Sequence, residues 1–169
     1  SSLDPDELSR IEFEPQHLAA IFKRPKSYSG AGNLILEVAS TGAFLYKDKL
    51  VIVISEDVPI FDSTQFNKVV TYGEVLLKMI YRSIFHFLEH LRIINKISDE
   101  LQTKINASME NKYLIDVFEL QKSLVYYQFS INANGALIEK LKINAAKIEF
   151  TKEEMEFLET LPDRELAPL

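Results

Sequence analysis

The stretch HFLEH, residues 86–90, places two imidazoles one helical turn apart. Histidines at positions i and i+4 of a helix can share a metal ion such as Zn²⁺. Glu89 does not follow the first histidine directly, so the H-E-x-x-H arrangement of metalloproteases is absent. The alternative is that His86 and His90 are two surface histidines on a helix, and the pattern favours this second interpretation.

A second candidate site is the stretch SEDVPIFDS, which brings together Glu56, Asp57 and Asp62 where a strand is predicted to end. Carboxylates are hard oxygen ligands that suit Mg²⁺ or Ca²⁺. The alternative is that these residues serve the turn and the cap of the next helix, and Asp62 in particular is a natural N-cap. Spacing alone favours the turn and cap interpretation.

Two further groups have both a functional and a structural interpretation. The acidic end of the chain can attract cations, but such a run is usually the solvated face of a helix; its members are Glu149, Glu153, Glu154, Glu156 and Glu159. Four aromatic residues can line a pocket, but at helical spacing they favour packing; they are Phe118, Tyr126, Tyr127 and Phe129.

Composition excludes several classes of protein. The chain has 169 residues, no cysteine and a net charge of −6, which argues against disulfides, thiolate metal sites and nucleic-acid binding. No apolar run is long enough to span a membrane, and no signal peptide is visible. Neither a P-loop, a G-x-G-x-x-G nor a G-x-S-x-G motif occurs, so the sequence predicts that the chain is not an enzyme. The absence of cysteine and of a signal peptide predicts a cytoplasmic domain.

The sequence pattern predicts β-strands in the first third of the chain. Runs ending at Pro15 and Pro25 are followed by two runs divided at Gly42. The β-branched run Leu50 to Ile54 predicts a strand buried on both faces. A short helix is expected to begin at Asp4, and another at Asp62 or Ser63.

From Tyr72 onward, apolar residues recur three and four apart in two heptad seams separated by SMENKY. Each predicted helix has about 30 residues and a length of about 45 Å. The short link predicts an antiparallel hairpin. The first seam is Leu77, Ile80, Ile84, Phe87, Leu91, Ile94, Ser98, Leu101 and Ile105; the second is Tyr113, Val117, Leu120, Leu124, Tyr127, Ile131, Asn134, Ile138 and Leu141. Asn134 is a polar residue of the kind that can fix register, and Thr151 with Glu154 predicts a capping box for a last helix.

These elements predict an α+β fold, in which a mixed sheet is covered by helices as an αβα sandwich and a long antiparallel helical hairpin projects from it. We expect a single folded domain with three parts: an α/β part at residues 1–71, the hairpin at 72–148, and the start of a C-terminal helix at 149–169. Because the chain begins at SSLDPDEL without Met, we expect a piece of a longer protein.

Several stretches of the sequence, in their order along the chain, resemble segments of the cytoplasmic domain of the CorA family of magnesium transporters. The stretch ELQKSLVYYQFSINANGALIEKL is similar to the family's K-S-L-V-Y-F…E-K-L helix, and LVIVISEDVPIFDS to its strand ending in P-L-L-D. The stretches LDPDELSRIEFEPQHLAAIFKRP and SMENK resemble further family segments in the same order. The likeness extends over almost the whole chain, and its specificity comes from order and spacing.

The resemblance implies a homopentameric channel for divalent cations whose membrane helices and Gly-Met-Asn motif are absent from this chain. It implies a domain on the cytoplasmic side of the membrane that senses Mg²⁺ at subunit interfaces, with Asp62 matching the sensing carboxylate. Co²⁺, Ni²⁺ or Zn²⁺ are alternative ions, and His86 and His90 gain importance if the ion is Zn²⁺. The rival hypothesis is a non-transporting interaction module whose hairpin docks a partner helix; a sensor is expected to gain stability from Mg²⁺, whereas a scaffold is not.

Overall fold

The computed structural model describes residues 8–26, 36–56, 60–61 and 64–162. Its sheet contains β1 (Arg10–Phe13), β2 (His17–Pro25), β3 (Val38–Tyr46) and β4 (Leu50–Ile54), in that order across the sheet. All three pairings are antiparallel. The described sheet is therefore antiparallel throughout, where the sequence predicted a mixed sheet. The short turns that join β1 to β2 and β3 to β4 dictate antiparallel pairing there, because parallel strands need a long crossover.

Two predicted strand features differ from the structure. The chain does not break at Gly42, because β3 runs through it and pairs there with Ile21 of β2 and Val53 of β4. β4 is not buried on both faces, since Val51 is 41% exposed and Val53 39%. Among the described strands β4 has one neighbour only, so it lies at an edge, which a continuous apolar run does not reveal.

The helical hairpin is confirmed. Helix α1 (Tyr72–Ala107) has 36 residues and α2 (Asn111–Ile148) has 38, so both are longer than predicted. Three residues, 108–110, link them. A third helix, α3 (Lys152–Thr160), begins with the predicted capping box of Thr151 and Glu154. A 3-10 turn (Thr64–Phe66) precedes α1; the helix starts predicted at Asp4 and at Asp62 or Ser63 fall outside the described residues.

The base of the hairpin covers one face of the sheet. Alternate residues of β2, namely Leu18, Ala20 and Phe22, share a core with residues of all three helices. The helical residues of that core include Leu76, Leu77, Ile80, Leu137, Ile138, Leu141 and Leu158. The α+β class is confirmed.

A second, smaller core lies farther along the hairpin, where Phe87, Ile94 and Leu101 of α1 meet Leu120 and Tyr127 of α2; Leu36, just before β3, and Val38, at its start, also belong to it. The predicted seam of α2 is displaced there. Val117 and Leu124 are exposed, whereas Ser123 is buried. Ser123 occupies the interior because its Oγ accepts a hydrogen bond of 2.9 Å from the backbone N–H of Leu36. A bond to a residue 87 positions away leaves no trace in helical periodicity.

Candidate functional site

The end of the sheet carries one of the three predicted carboxylate ligands within the described residues. Glu56 follows β4, and its Oε1 lies 3.2 Å from Nζ of Lys26, which also lies 2.9 Å from Oε2 of Glu37. The hydrogen bond to Glu37, and then that to Glu56, raises the pKa of Lys26. Glu56 is therefore engaged in an ion pair. Asp57 and Asp62 fall outside the described residues, so the prediction for Asp62 stays a prediction.

Two further basic residues, Lys23 and Arg24, lie on β2 just before Lys26 in the chain. The Nζ of Lys23 donates a hydrogen bond of 2.8 Å to Oγ of Ser40 directly across the sheet, and both residues are buried. Arg24, next along β2, is also buried. Burial lowers the pKa of Arg24, and the negative charge of Glu56 opposes that effect. The sequence analysis did not single out this basic group, although its three residues all lie in the stretch KRPK, residues 23–26.

His90 is a buried residue of the hairpin. Only 6% of it is exposed, and its Nδ1 lies 2.7 Å from the phenol oxygen of Tyr127 on α2. The surface interpretation is therefore wrong for His90. Burial, and secondarily the charge of His86, lowers the pKa of His90 to about 4, while burial raises the pKa of Tyr127. His90 is thus neutral at pH 7 and bridges the two helices.

The two histidine rings nevertheless lie close together, with centroids 4.7 Å apart and planes nearly perpendicular. The hydrogen bond to Tyr127 occupies Nδ1 of His90, which leaves Nε2 as its remaining ring nitrogen. Over the described ranges, no group of three or more His, Asp or Glu residues is placed to hold a metal ion.

Glu154 joins α3 to α1. Its Oε1 accepts a hydrogen bond from Oγ1 of Thr71, the N-cap residue of α1, and its Oε2 accepts one of 2.8 Å from the N–H of Thr151. Glu154 is buried, so the interpretation of the acidic run as a solvated face is wrong for this member. The capping box was visible in the sequence, but the tie to Thr71, 83 residues away, was not.

A cleft of about 740 Å³ opens beside this junction, a volume in the range of small-molecule sites. It is bounded by the β1–β2 turn, by the β3–β4 turn and by the ends of all three helices. Its charged residues are of both signs: Lys47 and Lys147 oppose Glu14 and Glu149. Such a mixed lining selects no single class of ligand.

The four aromatic residues predicted to pack along α2 behave differently from one another. Tyr127 is fully buried against Phe87, with ring centroids 5.1 Å apart. Phe118 and Phe129 are 69% and 68% exposed, and Tyr126 is 47% exposed. The packing interpretation is therefore confirmed for Tyr127 and wrong for the other three.

The sequence matches no family model, and no curated protein matches it. Solved structures do match. The soluble domain of CorA from Methanocaldococcus jannaschii superposes with a TM-score of 0.79 and 23% sequence identity, over 94% of this chain and 64% of that one. The complete structure of the CorA magnesium transporter from the same organism gives a TM-score of 0.77, also at 23% identity, over 94% of this chain and 51% of that one.

The chain thus spans between half and two thirds of the length of the structures it matches. Of the helices that the structure describes, none combines the length with the apolar composition that a bilayer span requires. The antiparallel sheet, the long hairpin and the short third helix together give this chain the fold of the CorA soluble domain.

Proposed function

We propose that this chain is the cytoplasmic domain of a CorA-type divalent-cation transporter. The observation that carries the proposal is the likeness to the CorA soluble domain over 94% of the chain at a TM-score of 0.79. It is supported by the family segments that recur in the sequence in the same order. The complete transporter is about twice as long as the matched region, so the pore belongs to parts of the protein outside this chain.

The proposed role of the domain is regulatory. A cation bound at an interface between subunits neutralises carboxylates that otherwise repel each other, and it thereby holds one conformation of a homopentamer. Asp62 is the proposed ligand in this chain, and Mg²⁺ is the proposed ion because carboxylate oxygens suit it. Co²⁺, Ni²⁺ and Zn²⁺ are alternatives, with His86 and His90 as imidazole ligands for Zn²⁺. Glu56 fits the ligand set poorly, since it is paired with Lys26.

The natural reading frame beyond Leu169 tests the first part of the proposal. Two apolar stretches of about 20 residues are expected there, with Gly-Met-Asn at the end of the first. A frame that ends near Leu169 without them contradicts the assignment to a transporter.

Metal-dependent stability tests the sensing role. The thermal midpoint of the protein, followed by circular dichroism, is expected to rise with millimolar MgCl₂ relative to NaCl of equal ionic strength, because a ligand that binds only the native state stabilises it. Asp62→Asn is expected to abolish the rise. Asp99→Asn, at an exposed position of α1, is the matched control and is expected to keep it. An equal response of wild type and Asp62→Asn excludes Asp62 as the ligand.

One observation favours the rival function, an interaction module that docks a partner helix. Leu114, Phe118, Val125 and Phe129 of α2 are exposed at spacings of four and seven residues, which places them along one face of the helix. A helix with an apolar face of its own is the partner that such a surface fits. The rival function predicts that Phe118→Ser abolishes binding of the partner helix and that Mg²⁺ leaves the thermal midpoint unchanged.

A further inference from the structure

Arg24, near the end of β2, is a buried cation whose hydrogen-bonding capacity is largely unused. Its residue is 7% exposed, and its Nη1 donates a long hydrogen bond of 3.4 Å to the carbonyl oxygen of Pro25. Its Nε and Nη2 are shielded from solvent, and neither has an acceptor in the part of the chain that the structure describes. Two of the three nitrogens of this guanidinium are therefore buried without a hydrogen-bond partner among the described residues.

The two unpartnered nitrogens share one edge of the guanidinium, from which their N–H groups point in parallel. Two oxygens of a carboxylate or of a phosphoryl group fit this edge in a bidentate manner. Arginine cannot relieve the cost of burial by losing its proton, as a lysine can. A buried guanidinium is stable only when acceptors replace the water it has lost.

Two carboxylates that the structure describes at this end of the sheet, Glu37 and Glu56, are engaged by Lys26. Glu56 attracts Arg24 through space, but its Oε1 lies 3.2 Å from Nζ of Lys26. Glu37 is paired with the same lysine at 2.9 Å. Among the described residues, Glu37 and Glu56 are thus both engaged by Lys26, and neither forms a hydrogen bond with Arg24.

Thr41 of β3 adds a further unused group on the same face of the sheet. Its Oγ1 is buried and has no partner within the described ranges. The register pairs Arg24 with Ala39, so Thr41, two residues farther along β3, is the diagonal neighbour of Arg24. Diagonal neighbours are within reach of a long side chain, and a threonine hydroxyl can donate to the same anion as the guanidinium.

We propose that Arg24 and Thr41 form a binding site for a small oxyanion from solution, namely the phosphoryl or carboxylate group of a solute. The anion accepts two hydrogen bonds from Nε and Nη2 of Arg24 and one from Oγ1 of Thr41. Because these nitrogens are closed off from solvent in this structure, the anion enters by a local opening of this end of the sheet.

The test uses thermal unfolding of the whole chain, followed by circular dichroism, in inorganic phosphate, in sulfate and in succinate. NaCl of equal ionic strength is the reference for each. Phosphate and sulfate also stabilise proteins generally by exclusion from their surface, so the decisive readout is saturation. Arg24→Gln removes the site, Thr41→Val removes the hydroxyl, and Arg92→Gln, on the exposed side of α1, is the matched control.

The wild type and Arg92→Gln are expected to show a saturating rise in midpoint of several degrees with at least one of the three anions. Saturation by phosphate and sulfate identifies a phosphoryl group as the ligand, and saturation by succinate alone identifies a carboxylate. Arg24→Gln is expected to show only the small, non-saturating rise, and Thr41→Val is expected to bind severalfold more weakly.

One result overturns the proposal: an identical anion response in the wild type and in Arg24→Gln. Unchanged binding by Thr41→Val removes Thr41 from the site.

Discussion

The side-chain amide of Asn134 on α2 forms two hydrogen bonds with the backbone of Lys23 on β2. Its Oδ1 accepts from the N–H at 2.8 Å, and its Nδ2 donates to the carbonyl oxygen at 2.7 Å. β1 ends its pairing with β2 at Arg10 and Ile21, so Lys23 lies beyond the last paired residue. The amide thus satisfies the backbone groups that a longer β1 would have paired, and it anchors the hairpin to the edge of the sheet.

Asn134→Ala is expected to lower the free energy of unfolding by about 3 kcal/mol. The substitution leaves the N–H of Lys23 buried without a partner, and an unsatisfied buried group costs about 1–3 kcal/mol. The carbonyl oxygen of Lys23 keeps the hydrogen bond from Oγ of Ser83, which limits the loss. Urea denaturation measures the change. Asn132→Ala, on the exposed side of the same helix, is the matched control and is expected to stay within about 0.5 kcal/mol; equal effects of the two substitutions would show that the amide does not anchor the hairpin.

The backbone of Gly73 packs so closely against the carboxylate of Glu154 that there is no room for a side chain at position 73. A Cβ atom built on Gly73 would lie 2.6 Å from Oε1 of Glu154, so Gly73→Ala must displace the carboxylate that binds the N-cap residue of α1, Thr71, and closes the capping box of α3. We expect Gly73→Ala to destabilise the protein by about 1–2 kcal/mol, even though alanine is the better helix former by about 1 kcal/mol.

A double-mutant cycle checks this coupling. In the background of Glu154→Ala the obstacle is gone, and Gly73→Ala is expected to become neutral or stabilising. Glu153→Ala, at an exposed position one residue earlier, is the control background, in which Gly73→Ala keeps its full cost. An unchanged effect of Gly73→Ala in all three backgrounds would mean that Glu154 moves aside freely.

The sequence was sufficient to predict the features that depend on contacts between residues close together in the chain. Periods of three and four residues located the hairpin, and the spacing of Thr151 and Glu154 located a capping box, because both patterns depend on contacts within one or two turns. Asn134 was recognised as a polar residue of the seam, but its partner lies 111 positions away on a strand, and no local pattern encodes that distance.

The candidate sites were harder to predict for the same reason. The exposure of Phe118 and the burial of His90 depend on which side of each helix meets its partner. Both helices have apolar residues on more than one side, so spacing alone did not decide. Arg24 was missed because a basic residue in a strand is usually exposed, and only the structure shows that its side chain is enclosed.

The exposed side chains of Phe118 and Phe129 on α2 are expected to contribute little to the free energy of unfolding of the chain. Phe118→Ser and Phe129→Ser are expected to change the free energy of unfolding by less than about 0.5 kcal/mol, because both side chains already contact water. Tyr127→Ser, on the buried side of the same helix, is the contrast and is expected to cost about 3–5 kcal/mol. Urea denaturation measures all three. A large loss for Phe118→Ser would show that this residue packs against another part of the protein.

His90 makes the stability of the hairpin depend on pH. Its pKa is about 4 in the folded chain against an ordinary 6.5, so the unfolded chain binds the extra proton between those values. The unfolding free energy therefore falls as the pH falls from 6.5 to 4, by as much as about 3 kcal/mol from this group. The charged groups that act on it are His86 and Glu89 on its own helix, and it faces Tyr127 on α2. His90→Gln is expected to flatten the dependence in this window, as measured by urea denaturation at a series of pH values, whereas His17→Gln on β2 is the control and is expected to retain it. A slope that His90→Gln leaves unchanged would assign the acid sensitivity to other residues.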